Sequence, residues 1–482
     1  MKEILHAEPY GFKQARAVLE NARKTVPAYQ KFLHAHHANA HIKTYANWHT
    51  LPICDKKSYI LRYPLNDLFP GGLVPPMAYA SSGSSGKPTF WFRGDLQEEH
   101  GGIVHERIIR DIFGIKKHES TLVIVCFAMG VWIAGNYTLA SFRAVARRGY
   151  KVTVATPGIE MGDIMNTLHD LVPSFQHLII AGYPPFVMDV FQEAAKRHIV
   201  LPKSTYVLTA GDKFSEIWRD GILEQIPGAL PHHIISIYGS ADAGVLGHET
   251  HLSIVLRRRA AKNRELFKEL FGDASNLPGL VQYDPEHVFF EEENGELIFT
   301  TATAAPLIRY NIHDIGAVFN DETIKNLMDA HGLLKNFEPH KNRFKNFPFL
   351  TLKGRNDVAV TFYALNIFPE HIIAGLQHVE VRRMVSGNFA AYTHERKHGK
   401  NQELYILVEL ARGVRSFQRT SQELQSSIVD ALMRRNIEFR KLYSIMGARA
   451  LPHIRCIPFG DSRMMQRKGL INTQGKKPKI RI

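Results

Sequence analysis

Residues 79–91 read YASSGSSGKPTFW. Gly83 and Gly86 let backbone N–H groups approach anionic oxygens, Ser81, Ser82, Ser84 and Ser85 add donors, and Lys87 adds a positive charge. That set suits the β- and γ-phosphates of a nucleotide. The same composition also describes a slack linker, and the residues alone leave both readings open. A Walker-type loop is excluded. It needs four residues between its glycines and a hydroxyl after the lysine, at the start of a helix. Here two residues separate the glycines, Pro88 follows Lys87, and the next run, TFWF, is strand-like.

Further polar residues stand at the ends of apolar runs. The runs are TLVIVCF (121–127), KVTVAT (151–156), HLIIAG (177–182), TYVLTAG (205–211) and IISIYGS (234–240). Segments compatible with helices lie between them, near 133–148, 162–172, 185–197 and 213–224. Continuous apolar strands alternating with helices predict a doubly wound, mostly parallel sheet. Ligands of such sheets sit beyond the carboxyl ends of the strands. Those ends carry Gly182, Gly211-Asp212 and Tyr238-Gly239-Ser240.

After about residue 275 short strands follow, with an insertion at 320–347 that reads as a surface excursion. From about 353 a smaller unit begins: strand 357–362, helix 369–377, strands 379–385 and 403–410, helix 416–438 and strand 454–458. That order fits a split βαβ sandwich. The predicted fold is α/β, with a large N-terminal domain (1–352) and a small C-terminal α+β domain (353–482).

The 482 residues are 45% hydrophobic and 22% charged, which excludes wholesale disorder. The formal net charge is +14, and eight Lys/Arg against one acid fall between Arg455 and Arg481. Such an excess attracts anions; polyphosphate ligands fit, whereas no nucleic-acid-binding motif is present. Cys54, Cys126 and Cys456 are far apart, so a reducing, cytoplasmic setting is expected. The uncharged run 121–142 is long enough to cross a bilayer. Gly130, Gly135 and Asn136 interrupt it, so a strand, a turn and a helix are expected and no membrane insertion. The His-rich stretch 34–42 reads as a solvated helix end, and HETH (248–251) lacks the spacing of a zinc site.

Five stretches in order resemble the motifs of the adenylate-forming (acyl-CoA synthetase and ligase) superfamily, in its phenylacetate-CoA ligase-like branch. They are SSGSSGKPT (81–89), YGSADAG (238–244), PLIRYNIHDIG (306–316), LKGRNDVAVTFYALNIFP (352–369) and TQGKKPKIRI (473–482). VPAYQKFL (26–33) and LPICDKKSYI (51–60) are also similar to that branch.

The resemblance implies activation of a small-molecule carboxylic acid as its adenylate, with ATP and Mg²⁺, followed by transfer to the thiol of CoA. A carrier-protein thiol, an amine or a cofactor hydroxyl are alternative acceptors, and a non-catalytic nucleotide-binding relative is a third reading. It implies that Ser81–Lys87 hold phosphates, that Gly211 and Asp212 lie near the adenine with Tyr238 stacked on it, and that Gly239 and Ser240 help bind the nucleotide. Asp242 is the implied Mg²⁺ ligand, one methylene shorter than the usual Glu. Asp314 and Arg355 contact the ribose or phosphates. Asp357 is the hinge of a mobile small domain, and Lys476, beside Lys477, is the catalytic lysine. Asn311, Ile312 and His313 depart from the motif. The acyl pocket is expected along 127–137, with Met129 and Trp132 as candidate lining.

Overall fold

The computed structural model describes residues 9–81, 89–211, 214–272, 274, 277–334, 347–355, 360–363, 365–395, 402–414 and 418–461. Its centre is a 12-stranded sheet. One half is parallel, in the spatial order Val152–Ala155, Thr121–Cys126, His177–Gly182, Thr205–Ala210, Ile234–Ser240. Side chains alternate between two buried faces, as the period of a strand requires. Leu122 and Ile124 pack with Ile164, Leu168 and Phe191 on one side. Val123 and Val125 pack with Phe142, Val145 and Ile235 on the other. The helices Ile133–Arg147, Met161–Leu171, Pro184–Lys196 and Glu216–Leu223 fall within a few residues of the expected positions. The uncharged run 121–142 is the fully buried strand Thr121–Cys126, a break at Gly130 (φ 81°) and the start of a core helix. No described helix is long and apolar enough to cross a membrane.

The short strands after residue 275 do not form a separate layer. They extend the same sheet antiparallel, through Gly244–His248, Gly279–Gln282, Phe349–Arg355, Leu307–Phe319, Glu296–Thr301 and Val288–Glu293. The N-terminal segment joins as Cys54–Asp55, parallel to Leu307–Phe319 with Cys54 opposite Tyr310. Arg309 fastens it. Its buried guanidinium donates to the carbonyls of His49 (3.1 Å) and Leu51 (2.6 Å), and pairs with Glu291 and Glu293. The described part of the insertion at 320–347 contains the helix Asp321–Ala330, with Ile324 and Met328 buried on one face.

Residues 360–457 build their own core around Phe362, Ile372, Phe389, Ile406, Leu424 and Ile428. The three-stranded sheet runs Val385–Glu395, Gln402–Leu410, His453–Ile457. The expected strand at 379–385 is absent. Turn hydrogen bonds from Val381 and Arg382 to the His378 carbonyl coil the chain there, and the strand begins at Val385. The expected helix 416–438 corresponds to Gln418–Arg435. Asn436 then caps a new helix, Ile437–Met446, its side chain accepting from Phe439 N at 2.9 Å. This body touches the parallel half through Lys441, whose ammonium lies 4.6 Å from the Trp132 ring centre, and through Arg449 and Asp189 at 3.3 Å.

The strand Ile234–Ser240 is held from behind by a buried ion cluster. Arg219, fully buried, bonds Glu249 (2.7 Å) and Glu216 (2.9 Å) and donates to the Ile234 carbonyl. Glu249 in turn accepts from Ser236 N at 2.9 Å. Thus HETH is structural: Glu249 serves this cluster and Thr250 caps the helix His251–Ala260. Removing one member of a buried pair strands the other charge, at about 3–5 kcal/mol. Arg219→Leu is therefore expected to lower the unfolding free energy of the large body by about that amount. Denaturant midpoints measure this; a shift no larger than that of an exposed arginine variant would contradict it.

Candidate active site

The candidate site begins where the sheet changes from parallel to antiparallel. At Gly239 the strand Ile234–Ser240 passes so close to its return partner that a Cβ would lie 2.6 Å from the Gly244 carbonyl oxygen. Gly244 itself has φ 83°. The turn between them is closed by Ser240 Oγ, which accepts from Ala243 N at 3.1 Å. This turn presents Asp242, beyond the carboxyl end of the last parallel strand.

Two tyrosine–carboxylate bonds tie the turn to distant parts of the chain. The Tyr310 hydroxyl donates to Asp242 Oδ2 at 2.7 Å, and the Tyr238 hydroxyl donates to Asp314 Oδ2 at 2.5 Å. Asp314 lies opposite Arg355 across the neighbouring strand pair. So Tyr238, Asp242, Asp314 and Arg355, far apart in sequence, gather at one edge. Tyr310 is fully buried and forms wall, whereas Asp242, Tyr238, Asp314 and Arg355 retain partial access to solvent.

Crowding by protein raises the pKa of Asp242, because burial penalises the carboxylate. The Tyr310 hydrogen bond and the charges of Lys56, Arg355 and Arg93 pull the other way without reversing the shift. Burial, then the Asp314 carboxylate, hold the Tyr238 phenol well above its usual range, so it stays a donor. On the flank, His313 adopts a left-handed backbone (φ 65°), and its ring nitrogens lie 3.6 Å from Asp55 and from Glu296. Its bond to Asp55, more than any other contact, lowers the Asp55 pKa. The departures at 311–313 therefore have local partners: Asn311 donates to Glu296 (2.7 Å) and accepts from His313 N.

Of the other expected residues, Ser81 ends the strand Met77–Ser81 and its Oγ accepts from Trp91 Nε1 at 2.8 Å. Gly211 follows Thr205–Ala210 with φ 89°. Ser82, Gly83, Ser84, Ser85, Gly86, Lys87, Asp212, Asp357, Lys476 and Lys477 lie outside the described residues. Met129 packs against the Gly135 backbone, and Trp132 is buried beneath Lys441. Three neighbours of Asp242 carry no role in the sequence reading: Tyr310, Lys56 and Arg93. Tyr310 and Lys56 stand inside stretches that resemble family motifs. Arg93 had no such signal beyond its place just after the serine–glycine loop.

No described group of three or more His, Cys, Asp or Glu could hold a metal ion. A Mg²⁺ ion at Asp242 fits nonetheless, since Mg²⁺ takes one or two carboxylates and completes its shell with water and phosphate oxygens. Oδ2 accepts from Tyr310, and the carboxylate would still have acceptor capacity to hold the ion.

No family model and no curated protein matches the chain. Solved structures do, and what they show is the fold: the chain shares that of 2-hydroxyisobutyryl-CoA ligase, among others. Its thioesterification state, in complex with 2-HIB-AMP and CoA, superposes with a TM-score of 0.62 at 15% identity, covering 95% of this chain and 88% of that one. Its postadenylation state with 2-HIB-AMP gives 0.51 at 15% identity, covering 94% and 86%.

Because the native pKa of Asp242 is raised, the folded chain binds this proton more tightly than the unfolded chain. The cost is absent below the unfolded pKa and grows as pH rises through the native one. Asp242→Asn keeps an acceptor for Tyr310 and removes the charge. The ligand-free variant should melt higher than wild type at pH 7.5, with a smaller gain at pH 4. Thermal unfolding at the two values tests this; an unchanged or reversed difference would refute the assignment.

Proposed function

We propose that this chain is an AMP-forming acid–thiol ligase, acting in two steps on a carboxylic acid, ATP and CoA. The observation that supports it most is the meeting of Tyr238, Asp242, Asp314 and Arg355 beyond the carboxyl ends of the parallel strands, in this fold. A carboxylate is a poor electrophile. Its oxygen attacks the α-phosphorus of ATP, the bond to the β-phosphate oxygen breaks, and pyrophosphate leaves. In the second step a thiolate attacks the acyl carbonyl and AMP departs, giving the thioester.

Each residue has a defined task in this reading. Asp314 accepts from the ribose diol, for which two carboxylate oxygens are suited. Tyr238 stacks on the adenine, its hydroxyl keeping Asp314 in place. Asp242 holds the bound Mg²⁺, which supplies positive charge to the phosphate oxygens. Arg355 and the loop 81–87 take the remaining phosphate charge, with electrostatic stabilisation fixed before the reaction. Lys476 bridges carboxylate and α-phosphate. The large body, which includes the strand through Arg355, and the smaller body act as two domains hinged at Asp357, so that Lys476 withdraws once the adenylate has formed.

Isotope exchange of pyrophosphate into ATP, across a panel of aromatic and aliphatic acids, tests the first step. Exchange that depends on one class of acid is expected, and CoA should then release AMP and give a thioester. Exchange without turnover of CoA would move the acceptor to a carrier thiol, an amine or a hydroxyl. ATP binding with no exchange on any acid would refute the enzyme. Lys476→Ala should slow exchange by about 10²-fold or more while ATP affinity stays within about threefold; equal loss of both would remove its role.

A further inference from the structure

Arg93 ends the strand Thr89–Arg93, which follows the serine–glycine loop, and only 2% of it is exposed. Nη1 donates to its neighbour's carbonyl, Phe92, at 3.0 Å. Nη2 donates to the carbonyl of Ala241, the residue before Asp242. Nε is buried with no hydrogen-bond partner. Its electrostatic neighbours are Tyr137, Asp242 and Tyr79, and the two tyrosines remain neutral at physiological pH. Asp242 acts on it through space only, with no ion pair between them.

Buried charges are ordinarily paired, since an unpaired one loses its hydration with nothing to replace it. Two backbone carbonyls do not neutralise a guanidinium. The motif that YGSADAG resembles has Thr at the position of Ala241, so this chain lacks a hydroxyl at the point that Arg93 grips.

We propose that Arg93 is a positioning residue of the candidate site: it holds the 240–243 turn through the Ala241 carbonyl, and its unpaired charge is balanced by an anionic oxygen of the reactants bound beside Asp242. This rests on the ligase reading for the identity of the reactants. The ligand chemistry is an oxyanion, either a phosphate of ATP or the carboxylate of the acid. Arg93 acts on it through the field, because its own atoms are covered.

Two variants separate the grip from the charge. Arg93→Gln keeps an N–H donor for the Ala241 carbonyl and removes the charge. Arg93→Lys keeps the charge and loses the planar fork. Calorimetric titration with ATP, pyrophosphate and adenosine, on variants shown by circular dichroism to be folded, reads the result. Arg93→Gln should bind ATP and pyrophosphate about tenfold more weakly and adenosine as wild type does. Arg93→Lys should retain most of the anion affinity. A loss confined to the KM of the acid in pyrophosphate exchange would also support the proposal and assign the charge to the carboxylate. Wild-type affinities and an unchanged acid KM in Arg93→Gln would overturn it. So would a uniform loss that includes adenosine, or Arg93→Lys weaker than Arg93→Gln, the ranking of a purely structural grip. Wild-type protein that binds ATP without any exchange would refute the ligase reading and leave the binding comparison standing.

Discussion

The geometry of the candidate site depends on the close passage of Gly239 against Gly244. The sheet reverses direction there, from parallel strands joined through helices to antiparallel strands joined by short turns. A side chain at Gly239 would force the two backbones apart, and the turn bearing Asp242 would move with them. The strand that leads into the turn is held from behind by the Arg219–Glu249 cluster, and the turn itself is held from across the sheet by Tyr310. Both arrangements place charge or polar bonds inside the protein, where they restrict geometry more than they add stability.

The second dependence is electrostatic. Asp242 sits among cations yet still has its pKa raised, so desolvation outweighs attraction in the free protein. The hydroxyls of Tyr238 and Tyr310 each engage one carboxylate oxygen, which orients the pair before any ligand arrives. The N-terminal segment enters by the same logic. Arg309 secures residues 49–51, which sets Cys54–Asp55 against the long strand and brings Lys56 towards Asp242.

The parallel half was readable because its strands are apolar on both faces and its helices amphipathic. Ile234–Ser240 and His177–Gly182 have the expected limits. The antiparallel extension was read only as short strands, since pairing partners far apart in sequence leave no local trace. The helix Asp321–Ala330 was missed because two buried residues, Ile324 and Met328, make a faint period among polar ones. Val379 and Val381 looked like strand, but turn bonds to His378 prevailed over β propensity. Asp242, Asp314 and Arg355, which the structure brings together, were candidates through motif resemblance. Arg93 was not, because a buried arginine is defined by what surrounds it in space.

The contact between the two bodies has a further consequence. It includes an ammonium over an indole, at Lys441 and Trp132, and the partly exposed pair Arg449–Asp189. Interactions of these kinds are worth about 0.5–1 kcal/mol and about 0–1 kcal/mol apiece, close to thermal energy. This seam is thus weakly fastened by charge, and added salt should loosen the Arg449–Asp189 pair while leaving each apolar core intact. Ionic strength then becomes a handle on how the halves sit together, independent of any change in sequence.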